Sequence, residues 1–66
     1  MNLRINGKNE SINNVVNIRE LILSKNLCLE KIVVEYNLNI LPKEKWGEIV
    51  LQENDNLEII SFVGGG

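Results

Sequence analysis

Apolar residues alternate with polar ones at the start of the chain and again near its end, and between these stretches the spacing turns helical. Met1, Leu3 and Ile5 share one face of residues 1–5, the period of a half-buried strand. Asn6-Gly7 follows, a dipeptide that accepts the positive φ angles of a tight hairpin turn. A return strand is predicted over residues 8–12. Ile12 is its only apolar residue, so the strand should be short and edge-like, with a solvated outer face. Residues 13–17 are linker. Asn17 is placed to cap a helix, with Glu20 at the capping-box position. Ile18, Leu21, Ile22 and the stem of Lys25 fall on one helical face, and Asn26 provides a left-handed stop. A helix this short must be held by packing on a sheet. Leu27 and Leu29 then return the chain beneath that sheet.

Residues 32–36 form the most strand-like run of the middle section, with Val34 and Tyr36 inward and Val33 and Glu35 on the opposite face. A turn at 37–39 leads to a short strand at 40–41. Pro42 ends it, since proline cannot donate to a ladder but suits the start of a helical turn. That turn, 43–46, swings Trp46 against the core, and Ile49, Val50 and Leu51 add apolar cover. A polar turn at 53–56 offers Asn54 or Asn56 for a left-handed conformation. The final strand sets Leu57 and Ile59 inward, and Ile60 and Phe62 onto an open face. The sequence then closes on Gly64, Gly65 and Gly66, which present little width to a narrow channel. The order of elements is that of an α+β fold, one helix across one face of a small sheet, with the first and last strands as central neighbours. One domain is expected over residues 1–63, followed by a flexible glycine tail at 64–66.

Composition narrows the function classes. Sixty-six residues, 44% of them hydrophobic, suffice for one small core and argue against disorder. The net charge of −2, with seven basic residues scattered among nine acids, leaves no basic stripe for nucleic acid. No apolar run reaches membrane-span length, and the polar N-terminus has no signal-peptide core. The single cysteine, Cys28, forms no internal disulfide and fits a reducing cytoplasm. It lies in a Leu-Cys-Leu run and is expected to be an inert, partly buried thiol. Histidine is absent, which removes the commonest general base and metal ligand, and no metal site is expected. Trp46 is assigned to packing. Glu48, Glu53, Asp55 and Glu58 are read as solvated surface.

The order of elements resembles the β-grasp, or ubiquitin-like, fold, a small mixed sheet with one main helix across one face. The block Asn37, Ile40, Pro42, Lys43 and Trp46, the Asn-Gly first turn and the Gly-Gly end resemble the ThiS family of thiamine-pathway sulfur carriers. Asn54 stands where that family often has glycine, and Gly64 where many members have a small or apolar residue. The resemblance implies a protein co-substrate with no catalytic residue of its own. A ThiF-like enzyme, using ATP and magnesium that the carrier itself does not bind, would adenylate the Gly66 carboxylate. Sulfur from a cysteine desulfurase or another donor would replace AMP to give a thiocarboxylate, and thiazole synthase would consume it. Gly64 and Gly65 would thread the enzyme's channel. The docking surface expected on physical grounds is the open sheet face: Ile60 and Phe62, with Val33 beside them and Val63 steering the tail. Two alternatives stand beside this reading: a molybdopterin synthase small-subunit type of carrier, and a ubiquitin-like modifier or interaction domain.

Overall fold

The computed structural model describes residues 1–61. Strands β1 (Asn2–Ile5) and β2 (Lys8–Ser11) precede helix α1 (Ile18–Ser24). Strands β3 (Ile32–Tyr36), β4 (Asn39–Leu41) and β5 (Asn56–Ser61) follow, with 3-10 turns at Leu29–Lys31 and Lys43–Lys45. The sheet order is β2-β1-β5-β3-β4. β1 and β5 run parallel, and the other pairings are antiparallel. The last strand is therefore the centre of the sheet, and the first lies beside it, as the pattern predicted. This is the β-grasp arrangement.

Both hairpins turn through paired positive φ angles. Asn6 and Gly7 have φ of 51° and 81°, the mirror-image turn geometry that matches strand twist. The second turn is tighter than expected. It consists of Asn37 (φ 48°) and Leu38 (φ 76°) alone, so β4 begins at Asn39 and not at Ile40. Leucine is an unfavourable residue for that conformation, because its Cβ crowds the following carbonyl. β2 also ends one residue before its predicted limit, although the Ile12 N–H still donates to the Met1 carbonyl at 2.8 Å.

The α1 cap forms as its residues predict. Asn17 is extended (φ −128°), and its Oδ1 accepts the Glu20 N–H at 2.8 Å. Glu20 reaches back in return, but to the Val16 N–H (2.8 Å), one residue before the cap. Ile18, Leu21 and Ile22 are buried on the sheet. Asn26 takes the left-handed conformation (φ 58°) and ends the helix. Beside it the Lys25 ammonium lies 2.8 Å from Glu10, tying the helix end to edge strand β2.

Eleven buried apolar side chains make one cluster, contributed by β1, α1, β3, β5 and the loop carrying Trp46 and Leu51. Trp46 is 2% exposed, and its Nε1 donates to the Leu41 carbonyl at 3.2 Å, so the largest side chain is buried without an orphaned donor. Three expectations need correction. Val50 adds little cover: it is exposed, because its backbone bridges to Asn17 while Leu51 takes the inward position. Cys28 is exposed, since the chain emerges from under the sheet at the residue that caps the first 3-10 turn. Asp55 is buried and is no part of a solvated face. Its Oδ2 accepts from the Tyr36 hydroxyl and from the Gln52 N–H, each at 2.9 Å, which satisfies the carboxylate where β5 begins. Tyr36 answers with a phenol pKa raised above 10.0, through burial first, then the hydrogen bond to Asp55 and that carboxylate's charge.

Candidate functional site at the end of the central strand

The tail springs from β5, so what holds β5 decides what presents the tail. On one side β3 pairs with the strand along its length, from Tyr36 opposite Leu57 to Ile32 opposite Ser61. On the other side β1 runs out early. Its last partner pair is Ile5 with Leu57, followed by an Asn6 N–H bond to the Leu57 carbonyl at 2.9 Å. Beyond that point the Asn6 side chain stands in for a missing strand residue. Its Oδ1 accepts the Ile59 N–H at 2.8 Å, and its Nδ2 donates to the Ile59 carbonyl at 3.3 Å.

Asn37 acts similarly at the opposite end of β5. Its N–H donates to the Asn56 carbonyl at 2.8 Å, and its Oδ1 accepts the Asn56 N–H at 3.1 Å. The first residue of each hairpin turn thus grips one end of the central strand. In both cases the positive φ angle is borne by asparagine, which tolerates it and carries an amide suited to pairing with backbone. Past Asn6 a groove of about 630 Å³ opens beside the described end of β5, lined by Ile5, Leu27 and Ile59 together with Lys8, Glu10 and Lys25.

The outer face of the sheet carries those residues of the expected docking surface that fall within the described region. Val33 and Ile60 are direct cross-strand partners, Val33 half-buried and Ile60 44% exposed. Paired residues of neighbouring strands share a face, so the structure brings these two together as the alternation required. Phe62, Val63, Gly64, Gly65 and Gly66 lie outside the described residues. One apolar member of the face was not foreseen. Ile40, 70% exposed, pairs with Glu35 and extends the surface onto β4. Its outward direction was legible from its alternation with Leu41. Trp46 and Cys28 take no part in this face. Among the described residues no His, Cys, Asp and Glu side chains gather into a group that could hold a metal ion. No helix there is long and apolar enough to cross a membrane.

A mixed five-stranded sheet, one helix across its inner face and a central strand that runs on toward glycines define a ubiquitin-like β-grasp domain. Comparison with known proteins takes the assignment further. The chain belongs to the ThiS family, whose model matches residues 3–66. It is 37% identical over 65 residues to the sulfur carrier protein ThiS of Bacillus subtilis (strain 168), covering 97% of this chain and 98% of that one. The crystal structure of a thiamine biosynthesis protein (ThiS) from Geobacter metallireducens superposes with a TM-score of 0.84 at 30% identity, over the whole of both chains. A thiazole synthase of Paramagnetospirillum magneticum is 33% identical over 66 residues, and there this chain spans only 20% of the relative's length.

Proposed function

We propose that this protein is a sulfur carrier for thiazole formation in thiamine biosynthesis, a co-substrate whose reacting group is the Gly66 carboxylate. The observation that carries the proposal is the near end-to-end similarity to a sulfur carrier of the same length, on a fold whose central strand leads to Gly64-Gly65-Gly66. The chemistry explains why so little machinery is needed on the carrier. A carboxylate is a poor electrophile until one oxygen becomes part of a leaving group. Adenylation by a ThiF-like enzyme supplies that, with ATP and magnesium held by the enzyme. The outer sulfur of a persulfide donor then displaces AMP to give an acyl disulfide, and a thiol cleaves the S–S bond, supplying the two electrons that leave the acyl group as a thiocarboxylate. Glycine at the last positions leaves the acyl carbon unhindered. The folded domain contributes the affinity that offsets ordering of the tail, by docking through Val33, Ile60 and the neighbouring Phe62 and Val63.

Thiazole synthase as the consumer is supported by relatives of that name, from two organisms, that contain a stretch similar to this entire chain. The same similarity favours the thiazole route over molybdopterin synthesis.

The test is the intact mass of the protein after incubation with ATP, a ThiF-like enzyme, a cysteine desulfurase and cysteine. The expected result is a gain matching one oxygen replaced by sulfur, absent when Gly66 is deleted. Unchanged mass, with each enzyme active on a known carrier, would overturn the reading.

A further inference from the structure

Asn6 holds the central strand, and it is also the asparagine of this chain most open to chemical change. Of the asparagines in the sequence only Asn6 precedes a glycine. In an Asn-Gly pair the glycine nitrogen can attack the asparagine side-chain carbonyl carbon, because no Cβ on the second residue hinders ring closure. The bond from that carbon to Nδ2 breaks, ammonia leaves, and the attacking nitrogen gives up its proton. Water then opens the cyclic imide at either carbonyl, leaving aspartate or isoaspartate. The sum is amide plus water to carboxylic acid plus ammonia, with no oxidant or reductant. The site is accessible: Asn6 and Gly7 are both exposed, and no atom lies within 4 Å of where a Gly7 Cβ would stand. What opposes the reaction is the clamp. Attack needs the Asn6 side chain folded onto the Gly7 nitrogen, whereas Oδ1 and Nδ2 are engaged with the Ile59 backbone at 2.8 and 3.3 Å.

We propose that Asn6 is a deamidation site gated by its own clamp: the reaction proceeds from molecules in which the bonds to Ile59 are open, and its products cannot close both of them again. A carboxylate here still accepts the Ile59 N–H, but it has no donor for the Ile59 carbonyl and sets an oxygen where Nδ2 stood, 3.3 Å from that acceptor. Isoaspartate also adds a methylene to the main chain of a tight turn, where Asn6 and Gly7 alone separate the register partners Ile5 and Lys8. At Ile59 the strand β5 is then left with β3 as its one complete neighbour. Asn37 provides a contrast within the same molecule. It clamps the Asn56 backbone in a similar way but precedes Leu38, whose side chain crowds the attacking nitrogen. Nothing in this chemistry depends on sulfur transfer.

In the experiment the full chain is held at mildly alkaline pH, well below its Tm, in buffer and in guanidinium chloride above its unfolding midpoint. Intact mass follows the conversion, peptide mapping locates it, and carboxyl methylation reveals isoaspartate. The expected result is conversion at Asn6 with Asn37 unchanged, about tenfold slower in the folded protein, the population effect of two modest hydrogen bonds. The aged protein and the variant Asn6→Asp should both melt at least about 4 °C below fresh wild type. Both should lose amide protection at Ile59 while Val34 and Leu21 keep theirs. Equal rates in the two solvents would overturn the gating. Conversion in denaturant with none in the folded protein, or equal conversion at Asn37, would overturn the site. A deamidated protein with wild-type Tm and a protected Ile59 amide would overturn the consequence for β5.

Discussion

Asn6 is the residue whose replacement should disclose most about how the tail is presented. Three contributions meet in it. The side chain makes two hydrogen bonds to the Ile59 backbone, one short at 2.8 Å and one long at 3.3 Å. Bonds of this kind contribute about 0.5–1.5 kcal/mol each, and the weaker geometry belongs at the lower end. The backbone is left-handed, at φ 51°, which costs alanine about 1 kcal/mol more than asparagine or glycine. Asn6→Ala should therefore lose about 2–3 kcal/mol, and Asn6→Gly, which keeps the backbone geometry, about 1–2 kcal/mol. A domain of this length has roughly 3–10 kcal/mol of stability in total, so either loss is large. At about 4–8 °C per kcal/mol the alanine variant should melt roughly 10–20 °C lower. Thermal unfolding followed by circular dichroism checks the totals. Amide hydrogen exchange at Ile59 checks the cause, since the glycine variant should lose protection there while Val34 and Leu21 keep theirs. A glycine variant with wild-type Tm and a still-protected Ile59 amide would refute the clamp.

Three further outcomes follow from the same structure. Leu38→Gly should stabilise the protein by about 0.5–1 kcal/mol, because Leu38 is 82% exposed and held at φ 76°, a conformation glycine adopts without strain; a lower Tm would contradict this. Tyr36→Phe should cost about 1–2 kcal/mol by removing the donor to buried Asp55. Because the folded-state pKa of Tyr36 is raised, its contribution is fully present below pH 10.0 and is lost as pH rises through the higher folded value. Urea midpoints across that range should fall less for the phenylalanine variant than for the wild type. Cys28→Ser should change stability by less than about 0.5 kcal/mol, the side chain being exposed, and should leave sulfur loading intact; loss of loading in the mass assay would make the thiol a participant.

Where backbone demand and residue type coincide locally, the sequence could be read directly. Asn6-Gly7, the Asn17–Glu20 cap, Asn26 and Asn54 each took the conformation their side chains favour. The apolar alternation likewise set Leu57 and Ile59 against the core. The misreadings share a different origin. Asp55 lies in a run of polar residues, and only the approach of Tyr36 from 19 residues away turns it into a buried, satisfied carboxylate. Leu38 gives no sign of a left-handed conformation, because the turn length is imposed by the pairing of Tyr36 with Asn39. Cys28 reads as half-buried from its leucine neighbours, yet half-buried Leu27 and Leu29 flank an outward residue. The opposition of Glu35 and Glu58 is invisible without the register of β3 against β5.

That register also bears on why the proposed reacting group would be carried at the end of this strand. A tail hung from an edge strand would move with every fraying of the sheet. β5 is instead paired on both sides as far as Ile59, gripped at its start by Asn37 and at Ile59 by Asn6, with β3 alone beside Ile60 and Ser61. The strand as far as Ile59 therefore opens only when much of the sheet opens, which places it among the more stable backbone of the domain. The proposed docking pair, Val33 and Ile60, lies across this same rigid segment, one residue from the end of the described strand. A partner on the proposed docking face would thereby meet the described end of β5 in a fixed register. On this view the two asparagines at the hairpin turns act on reactivity through the strand they hold. Weakening Asn6 should raise the carrier's KM for adenylation as well as lower its Tm, whereas the Leu38→Gly change, which leaves both asparagine amides in place, should move Tm alone.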